Sequence, residues 1–338
     1  MCDCLVALAP ATAGGRTIWA KSSDRPPHEP QVLEQHRPRR DDRPVRCTWI
    51  EVAPASGETI GLVASRPSWC WGFEHGVNEA GVAAGNETIY TTLDPRQAPP
   101  ALIGMDLVRL ALERGDSASA AVGVIVDLLE RYGQGGSGHE GKDRPYWSSF
   151  LVADASTAFV VETSGRTWMA EEVERARAIS NRTTIPAFDA EHRHPRQPVA
   201  TLVDPRWNAS KAVLAAEPVT VEAVQAHQRS HAGDGGWTVC MHVDDDEATT
   251  AAVVVELGQE RPLARWLLGS PCTSVYVPVH VGRAFGDPPA WERFAALRPE
   301  HRPVLDDLEA SLAADVRDDD GWGPEAWIRV EAALASLA

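Results

Sequence analysis

The chain has no unbroken apolar run approaching the roughly 18–20 residues that cross a bilayer, which argues against a membrane partner. Positive charge is also short: 48 Asp and Glu stand against 32 Lys and Arg in 338 residues, a formal net charge of -16. Nucleic acid demands a basic stripe, so it is excluded as a partner class. The one short basic patch, Arg37 to Arg40, runs straight into Asp41 and Asp42 and reads as a solvated loop. Cysteine is sparse and scattered, at Cys2, Cys4, Cys47, Cys70, Cys240 and Cys272. No two pairs have zinc-site spacing, so neither metal nor cofactor is assigned, and His242-Val243-Asp244-Asp245-Asp246, which could ligate metal, reads as a solvated strand end. The start lacks a basic segment followed by a sustained apolar one, so a secretory leader is not expected and a cytoplasmic location is. Disulfides do not persist there.

What remains is a globular composition, 43% hydrophobic and 24% charged, with enough length for a substantial core. Short apolar runs of strand type dominate the first third: Leu5–Ala9 and Thr17–Lys21 joined across Gly14-Gly15, then Ile60–Ala64 and Gly81–Gly85. Between them, Arg25–Arg46 is Pro-rich, charged and aperiodic, and reads as a long loop. Apolar periodicity predicts a helix around Leu102–Leu112 and a second over Ser117–Arg131. The Gly133–Gly138 run ends the second helix and lacks the lysine of a phosphate cradle. Strands return at Phe150–Ala153, Ala158–Thr163, Arg166–Ala170 and Arg177–Ser180. A helical pattern follows at Val219–Ser230, then strands at Val239–His242, Ala251–Leu257 and Ser274–Val279. Helical patterns at Pro303–Val316 and Pro324–Leu337 close the chain. Strands, a helix pair, then strands again predict an α+β protein of stacked sheets with helices on their outer faces.

The chemistry concentrates at the start. Removal of Met1 before a small residue leaves Cys2 with a thiol and a free α-amine on one residue. A thiol titrates near ~8.5 and an α-amine near ~8, so the amine can take the thiol's proton at neutral pH. Asp24, at the end of the second strand, could hold that amine, and Lys21 could lower the thiol's pKa by its charge. Asn86 and Asn181 each follow a strand and offer an amide donor to an oxyanion.

Several segments in order are similar to the secernin/dipeptidase family of N-terminal-nucleophile (Ntn) cysteine hydrolases, and more distantly to bile-salt hydrolases and penicillin V acylases. They are Met1-Cys2-Asp3, Ala20-Lys21 with Ser23-Asp24-Arg25, Trp69 through Val82, Gly85-Asn86-Glu87, Leu107–Arg114, Ile179-Ser180-Asn181 and Ser270-Pro271-Cys272-Thr273-Ser274. The resemblance implies a four-layer αββα sandwich of two mixed or antiparallel sheets over residues 1–285. Residues 286–338 would be a helical extension packed on it. It implies hydrolysis of an amide bond in a dipeptide or small N-acylated amine through an acyl-enzyme on Cys2. The catalytic set would be Cys2, Lys21, Asp24, Asn86 and Asn181, with Trp71, Glu87 and Trp147 binding substrate and no cofactor or metal. An acyltransferase using the same acyl-enzyme, or a non-enzymatic secernin-like protein, is the alternative, and a homo-oligomer is left open. Three departures stand out: Ser22 replaces the family's usual Asn, Tyr146-Trp147-Ser148-Ser149 replaces a His-Asn-Ser run, and Cys4 stands where the secernins align their own terminal cysteine.

Overall fold

β1 (Cys2–Ala7) and β2 (Thr17–Arg25) pair antiparallel, with Cys2 opposite Ser23 and Leu5 opposite Ala20. Gly15, in the turn between them, has a φ of 61°, which glycine reaches without strain. The computed structural model describes residues 1–40 and 42–337, the Asp234 side chain excepted. Asp41 of the charged stretch and Ala338 at the tail's end lie outside the described residues.

β1 and β2 are central in a sheet ordered Ala176–Ser180, β1, β2, Glu247–Leu257, Leu263–Leu268 and Val277–His280, with His242–Val243 pairing along Glu247–Leu257. A second sheet runs Thr167–Glu172, Ala158–Ser164, Trp147–Ala153, Ala83–Ile89, His75–Asn78, Leu62–Pro67 and β3 (Gln31–His36). Every neighbouring pair is antiparallel. Successive side chains on a strand point to opposite faces, and that alternation builds the layers. Cys4, Val6 and Trp19 face the space between the sheets with Val63, Val77, Ala83 and Leu151. Leu5, Ala7, Ile18 and Ala20 face outward.

The helices cover these outer faces. α1 (Gly104–Arg114) and α2 (Ala118–Tyr132) lie on the second sheet, where Leu107, Leu110 and Leu112 are fully buried with Ala84, Phe150 and Val152. Burial contributes about 1.5–3 kcal/mol for each such leucine. After α3 (Pro186–His192) and α4 (Val199–Leu202), α5 (Asp204–Ala215) and α6 (Val221–Gln228) cover the first sheet through Leu214, Val221 and Val224. The tail forms α7 (Trp291–Ala295), α8 (Arg302–Asp315) and α9 (Trp322–Ser336), whose Leu305, Leu312, Trp322, Trp327 and Val330 share one core with Val277 and Val279. No described helix is long and apolar enough to cross a membrane.

Two stretches depart from the sequence expectation. The Arg25–Arg46 loop contains β3, an edge strand in which Gln31 and Leu33 are buried and the intervening residues half exposed, so its polarity hides it. α3 to α5 occupy a stretch without visible periodicity. The inward stripe of α5 is Arg206, Ser210 and Leu214, spaced by four but with only one apolar member.

Candidate functional site

The alternation that builds the layers also sorts the site. Cys2, Lys21 and Ser23 face the space between the sheets, while Asp3 and Asp24 face α5. On the inner side, Lys21 Nζ donates to Ser23 Oγ at 2.9 Å and to Glu74 Oε2 at 3.2 Å. Cys2 Sγ lies 3.9 Å from the same Glu74 oxygen, and the Arg25 guanidinium is 3.4 Å from Glu74 Oε1. Ser23 Oγ bonds His75 Nδ1 at 3.0 Å. Gly85 of the facing sheet makes room for the lysine: a Cβ there would come within 2.6 Å of Lys21 Cδ.

These groups are all buried, so their mutual charges decide their protonation. Burial pushes the Cys2 thiol up to about 12, with Lys21 pulling against it. Burial would raise Glu74 too, but Lys21 and Arg25 outweigh it and hold the carboxylate below its ordinary range. The Lys21 ammonium loses hydration yet stays well above its ordinary value because Cys2 and Glu74 surround it. Burial, with Lys21 adding to it, drives His75 well down, so its imidazole is neutral.

On the outer side, Arg206 of α5 pairs with Asp3 Oδ2, donates to Asn181 Oδ1 at 3.0 Å and lies 3.7 Å from Asp24 Oδ2. Asn181 Oδ1 also accepts from the Cys2 backbone N–H at 2.8 Å, and its Nδ2 donates to the Thr88 carbonyl at 3.0 Å. Thr249 Oγ1 donates to Asp24 Oδ1 at 2.6 Å, whereas the buried Asp24 Oδ2 takes no hydrogen bond. Burial raises the Asp24 carboxyl to about 7 against the terminal ammonium and Arg206. The Met1 ammonium reaches the Asp24 carbonyl and Glu247 Oε2, each at 3.1 Å. Beside it lies a cavity of about 200 Å³, whose walls include Tyr90, Arg96, Arg144, Tyr146, Asn181 and Glu247.

Of the expected site residues, Cys2, Lys21, Asp24 and Asn181 come together. Asn86 is one step removed. Its backbone N–H donates to the Glu74 carbonyl at 3.3 Å, and its side chain meets Tyr146 and the start of α1. The three expected substrate-binding residues sit elsewhere. Trp71 lies under the Arg109 guanidinium, 4.1 Å from its ring centroid, and lines a separate cavity with His36 and Arg46. Glu87 points between the sheets beside Cys4, fully buried with neither carboxylate oxygen taking a hydrogen bond, so burial holds its carboxyl well up. Trp147 belongs to the core, with Nε1 donating to the Leu93 carbonyl at 2.8 Å. None of the three lines the cavity beside Met1. Cys4, two residues along the same strand face, is sealed in that core and its thiol is pushed well up by burial.

Glu74, Arg206, Glu247 and Thr249 were missed. Glu74 had a signal: a lone carboxylate closing the Trp69–Phe73 aromatic run must find a buried cation. The others come from elements distant in sequence and carried none. Two of the six cysteines, far apart in sequence, also converge with two histidines. His231, Cys240, His242 and Cys272 hold their ligating atoms within 4.8 Å of one another, with His242 exposed in the two-residue strand His242–Val243.

No family model matches the sequence. Among solved structures, the fold is similar to a cysteine-to-alanine mutant of conjugated bile acid hydrolase from Clostridium perfringens, with a TM-score of 0.54 at 10% identity over 83% of this chain and 92% of that one. The fold is that of the Ntn hydrolases. An arginine-to-leucine variant of the same hydrolase aligns with a TM-score of 0.50 at 10% identity, covering 82% and 97%. A Caenorhabditis elegans ortholog of N-acylethanolamine-hydrolyzing acid amidase aligns at 11% identity over 75% and 91%, with a TM-score of 0.46.

Proposed function

We propose that this protein is an Ntn cysteine amidohydrolase whose nucleophile is Cys2, exposed by removal of Met1, and that its substrate is a dipeptide. The observation that carries the reading is the position of Cys2. Its thiol lies against a buried Lys21–Glu74 pair and its nitrogen is held by Asn181, at a strand end that opens on a cavity. The bile acid hydrolase of the same fold is a hydrolase by its name, and one of its solved forms is a cysteine mutant.

With Met1 gone, the Cys2 nitrogen becomes an amine held by Asn181 Oδ1, with the Asp24 carboxylate, paired with Arg206 on the outer face of the same sheet, assigned to orient it. Cys2 Sγ and the Asp24 carboxylate point to opposite faces of the sheet, so only this terminal nitrogen can bridge them. The amine takes the thiol proton, and the thiolate, favoured by Lys21, attacks the substrate carbonyl carbon. Asn181 spends its amide on Cys2, Arg206 and Thr88, so it positions the nucleophile. The developing oxyanion is assigned to the Asn86 amide, which lies behind Tyr146, a wall of the cavity. The carbon–nitrogen bond breaks as the α-ammonium returns its proton to the leaving amine. Water, deprotonated by the same amine, then cleaves the thioester and regenerates the thiol.

The dipeptide is supported by what Met1 does in the uncleaved chain. Its ammonium is bound by the Glu247 carboxylate and the Asp24 carbonyl one residue from Cys2, the distance a dipeptide's own ammonium would stand from its scissile carbonyl. Arg96 and Arg144 in the same cavity suit a terminal carboxylate. The volume of about 200 Å³ is below the roughly 300–1,000 Å³ of sites for drug-sized ligands. Steady-state kinetics of Glu247→Gln test this. KM for dipeptides should rise at least tenfold, with N-acyl amines that lack the ammonium unaffected, and equal effects on both would reject the dipeptide.

A further inference from the structure

We propose that His231, Cys240, His242 and Cys272 form a structural zinc site. These residues lie outside the amidohydrolase machinery, on the excursion between α6 and the Glu247–Leu257 strand and on the turn after Leu263–Leu268. Cys240 Sγ and Cys272 Sγ lie 3.4 and 3.3 Å from the same His242 Nε2. Tetrahedral zinc with bonds of about 2.3 Å to sulfur and about 2.0 Å to nitrogen sets its sulfur and nitrogen ligands about 3.5 Å apart. The His231 ring stands 5.2 Å from that of His242, centroid to centroid, and supplies the fourth donor. Two thiolates and two imidazoles form a ligand set that zinc takes in closed, four-coordinate sites.

The segment has a physical need for such a staple. Residues 229–246 hold only two-residue strands, Gly233–Asp234 with Trp237–Thr238 and His242–Val243, which are too short to stand alone. A metal would tie this excursion to the Ser270–Ser274 turn. The tie also reaches the active site, because the Met241 N–H donates to Thr249 Oγ1 at 2.8 Å and Thr249 in turn holds Asp24.

The test is metal analysis of the whole protein purified without chelator, paired with cobalt titration of the chelator-stripped protein. We expect about one zinc per chain, falling at least tenfold in Cys240→Ser/Cys272→Ser. Cobalt should give thiolate charge-transfer bands and a tetrahedral spectrum saturating at one equivalent, a readout that does not depend on the variant folding. A metal-free protein whose stripped form shows no thiolate–cobalt band overturns the site, and so does a Cys240–Cys272 disulfide in the peptide map. Neither measurement uses amidase activity, so failure of the dipeptide reading leaves the zinc site standing.

Discussion

Replacing Lys21 by Met removes a cation that both touches Glu74 and draws the Cys2 thiol's pKa down from the inner face. Both Lys21 Nζ and Cys2 Sγ contact Glu74 Oε2, at 3.2 and 3.9 Å, so they stand no more than about 7 Å apart. At an effective dielectric of about 20, unit charges about 6–7 Å apart interact by about 2.5 kcal/mol. That is close to two pKa units, or about a hundredfold less thiolate at fixed pH. The Glu74 carboxylate left behind repels the thiolate and acts in the same direction. The assay is the rate of Cys2 alkylation by iodoacetamide across pH 6–10, read by intact mass. Lys21→Met should shift the profile up by about two units, while Lys21→Arg should keep it. Breaking a buried pair costs about 3–5 kcal/mol, so the double variant Lys21→Met/Glu74→Leu serves as a folded control, because replacing both partners is close to neutral. A Lys21→Met variant that is folded and alkylates with the wild-type profile would refute the claim that Lys21 activates the thiol.

Arg206→Met strips the buried Asp3 and Asp24 of their cation and should cost about 3–5 kcal/mol in urea unfolding, with Arg206→Lys intermediate. Asn86→Ala removes the proposed oxyanion donor and should lower kcat by about 10²–10³ with little change in KM. Glu34 is held at about 2: burial opposes ionisation, but hydrogen bonds from His36 and Arg66 outweigh it. Its contribution to stability is therefore present above its ordinary value of 4.5 and lost as pH falls toward 2. Acid unfolding of Glu34→Gln should be shallower than wild type across that window.

The strands and helices that declare themselves by apolar period were legible in the sequence. α1 and α2 fall within two residues of expectation, as does the Ala158–Ser164 strand, while β2 starts where expected and runs four residues further. Elements whose inward residues are polar were not legible, and those are the ones that furnish the site. Arg206 faces the sheet from α5 because Asp3 and Asp24 await it, so the signal of that helix is charge complementarity across about 200 residues and not periodicity. The inner half of the site was half legible: Lys21 and Asp24 stand out at a strand end, but Glu74 gains meaning only when the second sheet folds over the first. Trp71 and Trp147 carry no signal of their place, since a large aromatic near a motif can line a separate cavity, as Trp71 does, or fill the core, as Trp147 does.

The central claim is that Cys2 acts as an N-terminal nucleophile, and mass spectrometry of the protein trapped with substrate tests it most directly. Rapid acid quench during dipeptide turnover should give an intact chain lacking Met1 and carrying one acyl group, mapped to the thiol of Cys2 and absent from Cys2→Ala. Full activity from a chain that retains Met1, or an acyl group mapped to any other residue, would contradict the account.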